Sequence, residues 1–395
     1  MKKLFLYIIL LLSVLSCREK MESSVTESSA IAFATPTVSE TKSGLIAEVD
    51  DMVIGVENGK NILGYGVYAS KYIPGEDGGM VFHQMFMDNL RVYSRDGSTW
   101  GYDGDSFYWS IGAVHKLFAV YPYYDNGSDD YDLGISYGIN SELHALQVTG
   151  KHEYTDAKGN TSYYICTGFE PDGTPLCPDI LYDVIKYSEP YQVGEDRAPV
   201  SFVFNHALSA VSFKFRNVSE YPIISIQPLS GDSKILLDGF KNVSEYVLLK
   251  ESGPDWAMPT EVDGHEFVLT QFDYDAENNN AIDPGAYYTA PGSEYWYTAL
   301  MIPQNFAGYP DSPSLSFAVT FDQRTSSSEQ ITPANTLKKE YTINFKDYIV
   351  HNSAENAYSF LSGHHYEYGI NVSASLVSCD VAIVPWIEDD PIILN

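Results

Sequence analysis

Residues 198–217 read A-P-V-S-F-V-F-N-H-A-L-S-A-V-S-F-K-F-R-N and alternate apolar with more polar positions twice over. Val200, Phe202 and Phe204 form one face of the first run, and Val211, Phe213 and Phe215 one face of the second. A period of two puts one apolar face on each run, so the pattern predicts two strands joined through His206 and Ala207. The alternation recurs at Leu315, Phe317, Val319 and Phe321, and at Tyr341, Ile343 and Phe345. Its longest case is Tyr366, Tyr368, Ile370, Val372, Ala374 and Leu376, predicting one strand over 366–376. Residues 116–121, K-L-F-A-V-Y, predict a buried strand ending at Pro122. Shorter strands are expected at 45–49, 52–56, 61–70, 80–87, 90–93, 163–166, 179–182 and 381–386. No window of a dozen residues holds a 3.6 period. Many short strands separated by turns predict an all-β chain of antiparallel sandwiches.

A length of 395 residues exceeds one ordinary core, so two β domains are expected, with the seam at 198–217. The N-terminal sandwich would span 45–205 and the C-terminal sandwich 206–395. Residues 18–44 form a tether with one extended segment at 30–38, A-I-A-F-A-T-P-T-V, which Pro36 restricts to a sheet edge or an irregular strand. Aromatics at 14% and charged residues at only 19% suit strands better than helices. The formal charge of −30 repels phosphate backbones, which argues against a nucleic-acid partner and fits a solvated secreted surface.

Residues 1–17 set the compartment. Lys2 and Lys3 precede residues 4–15, apolar except for Ser13 and too short to span a bilayer. This is the pattern of an export signal. It ends V-L-S-C, which resembles a bacterial lipobox, so Cys17 is the expected site of acylation (palmitate) and lipid anchoring, with the body in water. Cys166, Cys177 and Cys379 remain, an odd number that argues against a disulfide framework. Cys166 and Cys177 bracket a turn-rich loop and are either a disulfide or two separate core thiols. No Cys–His spacing suits zinc.

Candidate chemistry is sparse. Gly104-Asp105-Ser106 and Gly231-Asp232-Ser233 look like esterase motifs but lie between no strand and helix, and read as turns. No Walker loop or dinucleotide fingerprint occurs, so neither enzyme nor cofactor is expected. His206 reads as a satisfied turn histidine. The His364–His365 pair lacks the helical spacing and carboxylate of a metal site. Two acidic loops, 125–132 and the set Asp273, Asp275, Glu277 and Asp283, are weighed for calcium against plain solvated loops, and no metal is assigned. Trp100, Tyr102 and Trp109 flank the turn D-G-D-S-F; they are a candidate glycan platform, with core packing as the default.

The lipobox, the early strand, F-A-V-Y-P-Y at 118–123, the block at 179–182 and 200–215, A-L-M-I-P-Q at 299–304 and S-G-H-H-Y-E-Y-G-I-N-V at 362–372 together resemble the fimbrillin-like family. These are the type V pilus subunits of Gram-negative gut and oral bacteria, and the motifs cover nearly the whole mature chain. The resemblance implies two tandem transthyretin-like β-sandwiches, outer-membrane lipid anchoring and a place at the cell surface in a fimbria. It implies that an Arg/Lys-directed, trypsin-like protease removes the N-terminal strand, here after Lys42. Other pilus subunits would then be the partners, each donating a C-terminal strand into the groove. Here the donor would include Val381, Ile383, Trp386 and Ile393; the short tail and Pro391 depart from the family's shaft subunits. A lipid-anchored tip adhesin or anchor subunit that binds a host or bacterial glycan, or a protein, is the alternative.

Overall fold

The computed structural model describes residues 28–38, 64–124, 134–140, 142–155, 159, 161–167, 176–258, 267–291, 293, 295–305, 313–326, 328–347 and 359–384. The signal segment, Cys17, Lys42, Trp386, Ile393, the acidic loop 125–132 and the strands expected at 45–49 and 52–56 lie outside them. Among the described residues there is no α-helix, and the fold is all-β with several sheets.

Strand Val114–Tyr121 lies at the centre of a seven-stranded sheet. Tyr65–Pro74 and Leu181–Lys186 flank it, both antiparallel. Met80–Ser94 and Trp100–Gly101 continue the sheet on one side, Val203–His206 and Thr37–Val38 on the other. The apolar run K-L-F-A-V-Y follows from burial on both faces: Phe118 and Val120 enter one core, Leu117 and Ala119 another. Met80–Ser94 joins two strands expected separately. Asn89, at φ 52°, absorbs an irregularity between them and donates its side-chain amide to the Tyr124 carbonyl at 2.7 Å.

The core holding Phe118 closes against a four-stranded sheet of Ile135–Asn140, Ala145–Gly150, Tyr246–Lys250 and Gly253–Ala257. A three-stranded sheet of His152–Thr155, Thr161–Cys166 and Val243–Ser244 packs alongside. The two sheets meet at Gly150, where an added Cβ would fall 1.7 Å from the Tyr164 carbonyl carbon. Cys166 and Cys177 are buried and are not joined by a disulfide, so they are core thiols. Burial pushes the Cys177 thiol pKa up.

In the second half, Ser209–Asn217 pairs in parallel with His365–Val372 and antiparallel with Tyr297–Met301. Val377–Val384 pairs with His365–Val372 and ends this sheet's path. A second sheet is built around Ser314–Asp322. Val211, Phe213, Phe215, Tyr366, Tyr368 and Ile370 share one core with Phe317, Val319, Phe321 and Tyr341. The alternating apolar positions of the sequence are therefore the inner faces.

Two expectations change. The strand predicted over 366–376 stops at Val372. The Ser373 amide donates to the Leu376 carbonyl at 2.9 Å and the Ser373 hydroxyl accepts the Leu376 amide at 3.1 Å, reversing the chain and leaving Leu376 64% exposed. A cut between 205 and 206 also fails to separate the cores. Val243–Ser244 and Tyr246–Lys250 return to pair with Thr161–Cys166 and Ala145–Gly150, and Leu300 and Ile302 enter the same core as Phe118.

Candidate strand-docking site

Residues 28–38 run through a slot between two backbone walls. On one side the Ile31 amide donates to the Phe107 carbonyl at 2.8 Å, and the Trp109 amide donates to the Ser29 carbonyl at 3.2 Å. On the other, the Ala34 amide donates to the Val200 carbonyl and the Val200 amide to the Ala32 carbonyl, each at 2.8 Å. The Thr37 amide reaches the Phe202 carbonyl at 2.9 Å, and Thr37–Val38 then pairs in parallel with Val203 and Phe204. The segment thus bridges parts of the chain far apart in sequence.

Side chains fill the slot in an irregular rhythm. Ile31, Phe33 and Pro36 are buried, while Ala32, Thr35 and Thr37 are exposed. The step from two to three residues between Phe33 and Pro36 shifts the phase, as Pro36 requires of a segment that cannot donate at every position. Phe33 meets the Tyr102 ring edge-on at 5.8 Å and stacks on Phe202 at 6.2 Å. Tyr65 lies beneath, against Trp100, Phe202 and Phe204. Burying Ile31 and Phe33 contributes about 3–6 kcal/mol together, more than any single main-chain bond of the slot.

The start of the segment is held by polar contacts. The Tyr191 hydroxyl accepts the Ser29 amide at 2.9 Å, lies 2.9 Å from the Ser29 hydroxyl, and donates to the Glu195 carbonyl at 2.7 Å. The Arg197 guanidinium lies over Tyr187, Trp109 and Tyr191 at 4.3, 5.0 and 5.1 Å. Its Nε donates to Glu195 at 2.6 Å. Below Trp109, His115 Nε2 accepts the Ser110 amide at 3.0 Å, which requires the neutral ring. Burial, then the Arg197 and Lys71 charges, hold the His115 pKa down at about 4.

No family model matches the sequence, and no curated protein matches it. Among solved structures the chain is similar to a fimbrial protein from Bacteroides vulgatus, with a TM-score of 0.50, 13% identity, and coverage of 90% of this chain and 99% of that one. The chain has the fold of a fimbrial protein. A cell-adhesion candidate from Parabacteroides distasonis is also similar, with a TM-score of 0.41, 8% identity, and coverage of 94% of this chain and 100% of that one. A further cell-adhesion candidate, from Bacteroides ovatus, has a TM-score of 0.38, 13% identity, and coverage of 92% and 99%. A fold shared with a fimbrial protein is what the resemblance to the fimbrillin-like family implies.

The structure also locates the other candidate residues that fall among the described ones. Trp100 and Trp109 are 7% and 2% exposed and Tyr102 packs beside them, so the expected sugar platform is instead part of the slot's lining. The aromatic residues were legible; their burial depended on residues 31 and 33 arriving from far upstream. Val381 lies against the chain's own core and Ile383 is 42% exposed at the end of the Val377–Val384 strand. Both belong to a sheet of this chain, where the register pairs Tyr368 with Val381 and Tyr366 with Ile383. His206 donates through Nδ1 to the Asp179 carboxylate at 2.6 Å, and His365 Nε2 lies 2.7 Å from the Ser212 hydroxyl. Asp275 accepts the Glu277 amide and the Asn278 side chain within its own turn, and Asp273 accepts Gln227 from the neighbouring strand. Among the described residues no group of His, Cys, Asp and Glu is placed to hold a metal. Sequence reading missed Tyr191, Arg197 and Phe107, whose roles arise only from the slot.

Proposed function

We propose that the chain is a non-catalytic structural subunit of a surface fimbria, built as two tandem transthyretin-like β-sandwiches and exported as a lipoprotein acylated at Cys17. In this reading the protein is anchored in the outer membrane until a trypsin-like protease cuts after Lys42. The cut releases the anchor together with residues 28–38, and a strand of a neighbouring subunit refills the slot.

One observation carries the reading: residues 28–38 bond through the main chain to both walls while placing two side chains in the core. Backbone bonds accept any extended segment, and the alternate side chains set which segment fits. An empty slot would expose Phe202 and Tyr65 and unpair the Val200 and Trp109 amides, so refilling is favoured. The fold likeness to a fimbrial protein agrees with this role. Because Val377–Val384 is held in its own sheet, the donor is drawn from 385–395, with Trp386 and Ile393 as the pocket-filling residues.

The test is the N-terminal sequence of the protein on assembled fibres. A start at Ser43 is expected. Protein on fibres that keeps an acylated Cys17 would overturn cleavage at Lys42.

A further inference from the structure

The Ser29 end of the slot carries an apolar rim that residues 28–38 do not use. Two tight turns bracket this end. In the turn 110–113 the Ala113 amide returns to the Ser110 carbonyl at 3.1 Å, and in the turn 192–195 the Glu195 amide returns to the Gln192 carbonyl at 3.2 Å. Each has glycine at its third position, Gly112 and Gly194, both at φ 75°, as a type II turn requires. The second position is then a corner open to solvent, and it holds Ile111 in one turn and Val193 in the other. Turn corners favour Pro and polar residues, so nothing local calls for a β-branched apolar side chain there. Ile111 and Val193 are 42% and 58% exposed, and Tyr108, whose main chain bridges to Ala30, is 53% exposed. The turns are tied to each other and to the strand. The Gly112 amide donates to the Tyr191 carbonyl at 2.8 Å, the Tyr191 amide donates to the Ala113 carbonyl at 3.0 Å, and the Tyr191 hydroxyl holds Ser29. Single exposed apolar residues are ordinary, but three on the loops around one opening form a patch.

Chain connectivity identifies what covers the patch. Val384 is held in its own sheet opposite His365, and Trp386 follows two positions later. Two extended residues span at most about 7 Å. A donor that places Trp386 in its neighbour's first pocket, where Ile31 lies, must therefore bring its own body against the neighbour's slot. The sense of the donor decides which end it meets. The resident segment runs parallel to Val203 and Phe204 and antiparallel to Tyr108. The two kinds of ladder space their bonds differently, so a donor in the same sense takes over the bonds of both walls and a reversed one does not. In that sense the donor's N-terminal end, and with it the donor's body, lies at Ser29. Beside Val384 on the donor, Ile383 is the exposed apolar side chain of its strand end.

We propose that Tyr108, Ile111 and Val193 form a docking rim for the body of the next copy of this chain, which they receive around Ile383 at the end of Val377–Val384. This rests on the strand-exchange reading above. The rim and Ile383 are different surfaces, so the contact is head-to-tail and repeats from copy to copy. Main-chain pairing in the slot accepts an extended segment from any source, and the rim adds a contact that only a whole subunit makes.

The test uses the full chain carrying a specific protease site between residues 39 and 63, cut after folding. Two rates are read: uptake of a labelled peptide of residues 385–395, which reports the slot alone, and polymerisation of the cut chain, followed by light scattering. Ile111→Glu combined with Val193→Glu is expected to slow polymerisation roughly tenfold and to leave peptide uptake within about twofold of the wild type. Ile383→Glu should do the same from the donor side. Leu376→Glu, next to the opposite end of Val377–Val384, should change neither rate. A photo-crosslinker at position 193 should capture the Val377–Val384 strand of the neighbouring copy. Polymerisation of the double variant at the wild-type rate, an equal loss of peptide uptake, or capture of the neighbour from position 203 beside Val38 instead of 193 overturns the rim and leaves strand exchange standing. Wild-type protein that neither takes up the peptide nor polymerises overturns both the rim and the strand-exchange reading.

Discussion

Tyr191 holds Ser29 at two points across 162 residues of sequence: its hydroxyl accepts the Ser29 amide and meets the Ser29 hydroxyl, each at 2.9 Å. Its own proton goes to the Glu195 carbonyl, so the Ser29 hydroxyl is the donor in the second contact. Tyr191→Phe keeps the ring on Trp109 and under Arg197 but removes these bonds. The expected loss is about 1–3 kcal/mol in urea unfolding, with faster hydrogen exchange at Ser29 and Ile31. Unchanged exchange at Ser29 would show that the slot's walls alone hold the segment.

The neutral His115 beneath Trp109 makes the slot sensitive to acid. Its pKa is about 4 in the fold against 6.5 unperturbed, because burial and the Arg197 and Lys71 charges disfavour the imidazolium. A depressed histidine pKa means the unfolded chain takes up the proton first. Its contribution is therefore complete above pH 6.5 and is lost progressively as the pH falls from 6.5 towards 4. The loss is of order 1–3 kcal/mol, after discounting for solvent screening. Urea titrations from pH 7.5 to 4 on wild type and His115→Gln check it; the variant should show a shallower slope in this window.

Gly150 carries a steric prediction. A methyl group there would overlap the Tyr164 backbone, which cannot move without disturbing Thr161–Cys166 and its pairing with Val243–Ser244. Gly150→Ala is expected to cost about 3 kcal/mol or more and to lower the melting temperature by several degrees. Gly138→Ala, with nothing within 4 Å of the added Cβ, is the control and should melt near the wild type.

The strand faces were legible in the sequence because alternation is a local property. Phe202 and Phe204, Val211 to Phe215, and Tyr366 to Ile370 point inward as the period of two requires. The extended character of residues 30–38 was legible for the same reason. Which sheet a strand joins is not local. Tyr246–Lys250 has an ordinary strand pattern, and only the tertiary structure sends it back to Ala145–Gly150 and joins the two halves through one core. The ring cluster at Trp100 and Trp109 carries no mark in the sequence of being covered. Its burial is decided by the docking of Ile31 and Phe33 between walls at 107–109 and 200–204, an arrangement of three distant segments that no single stretch encodes.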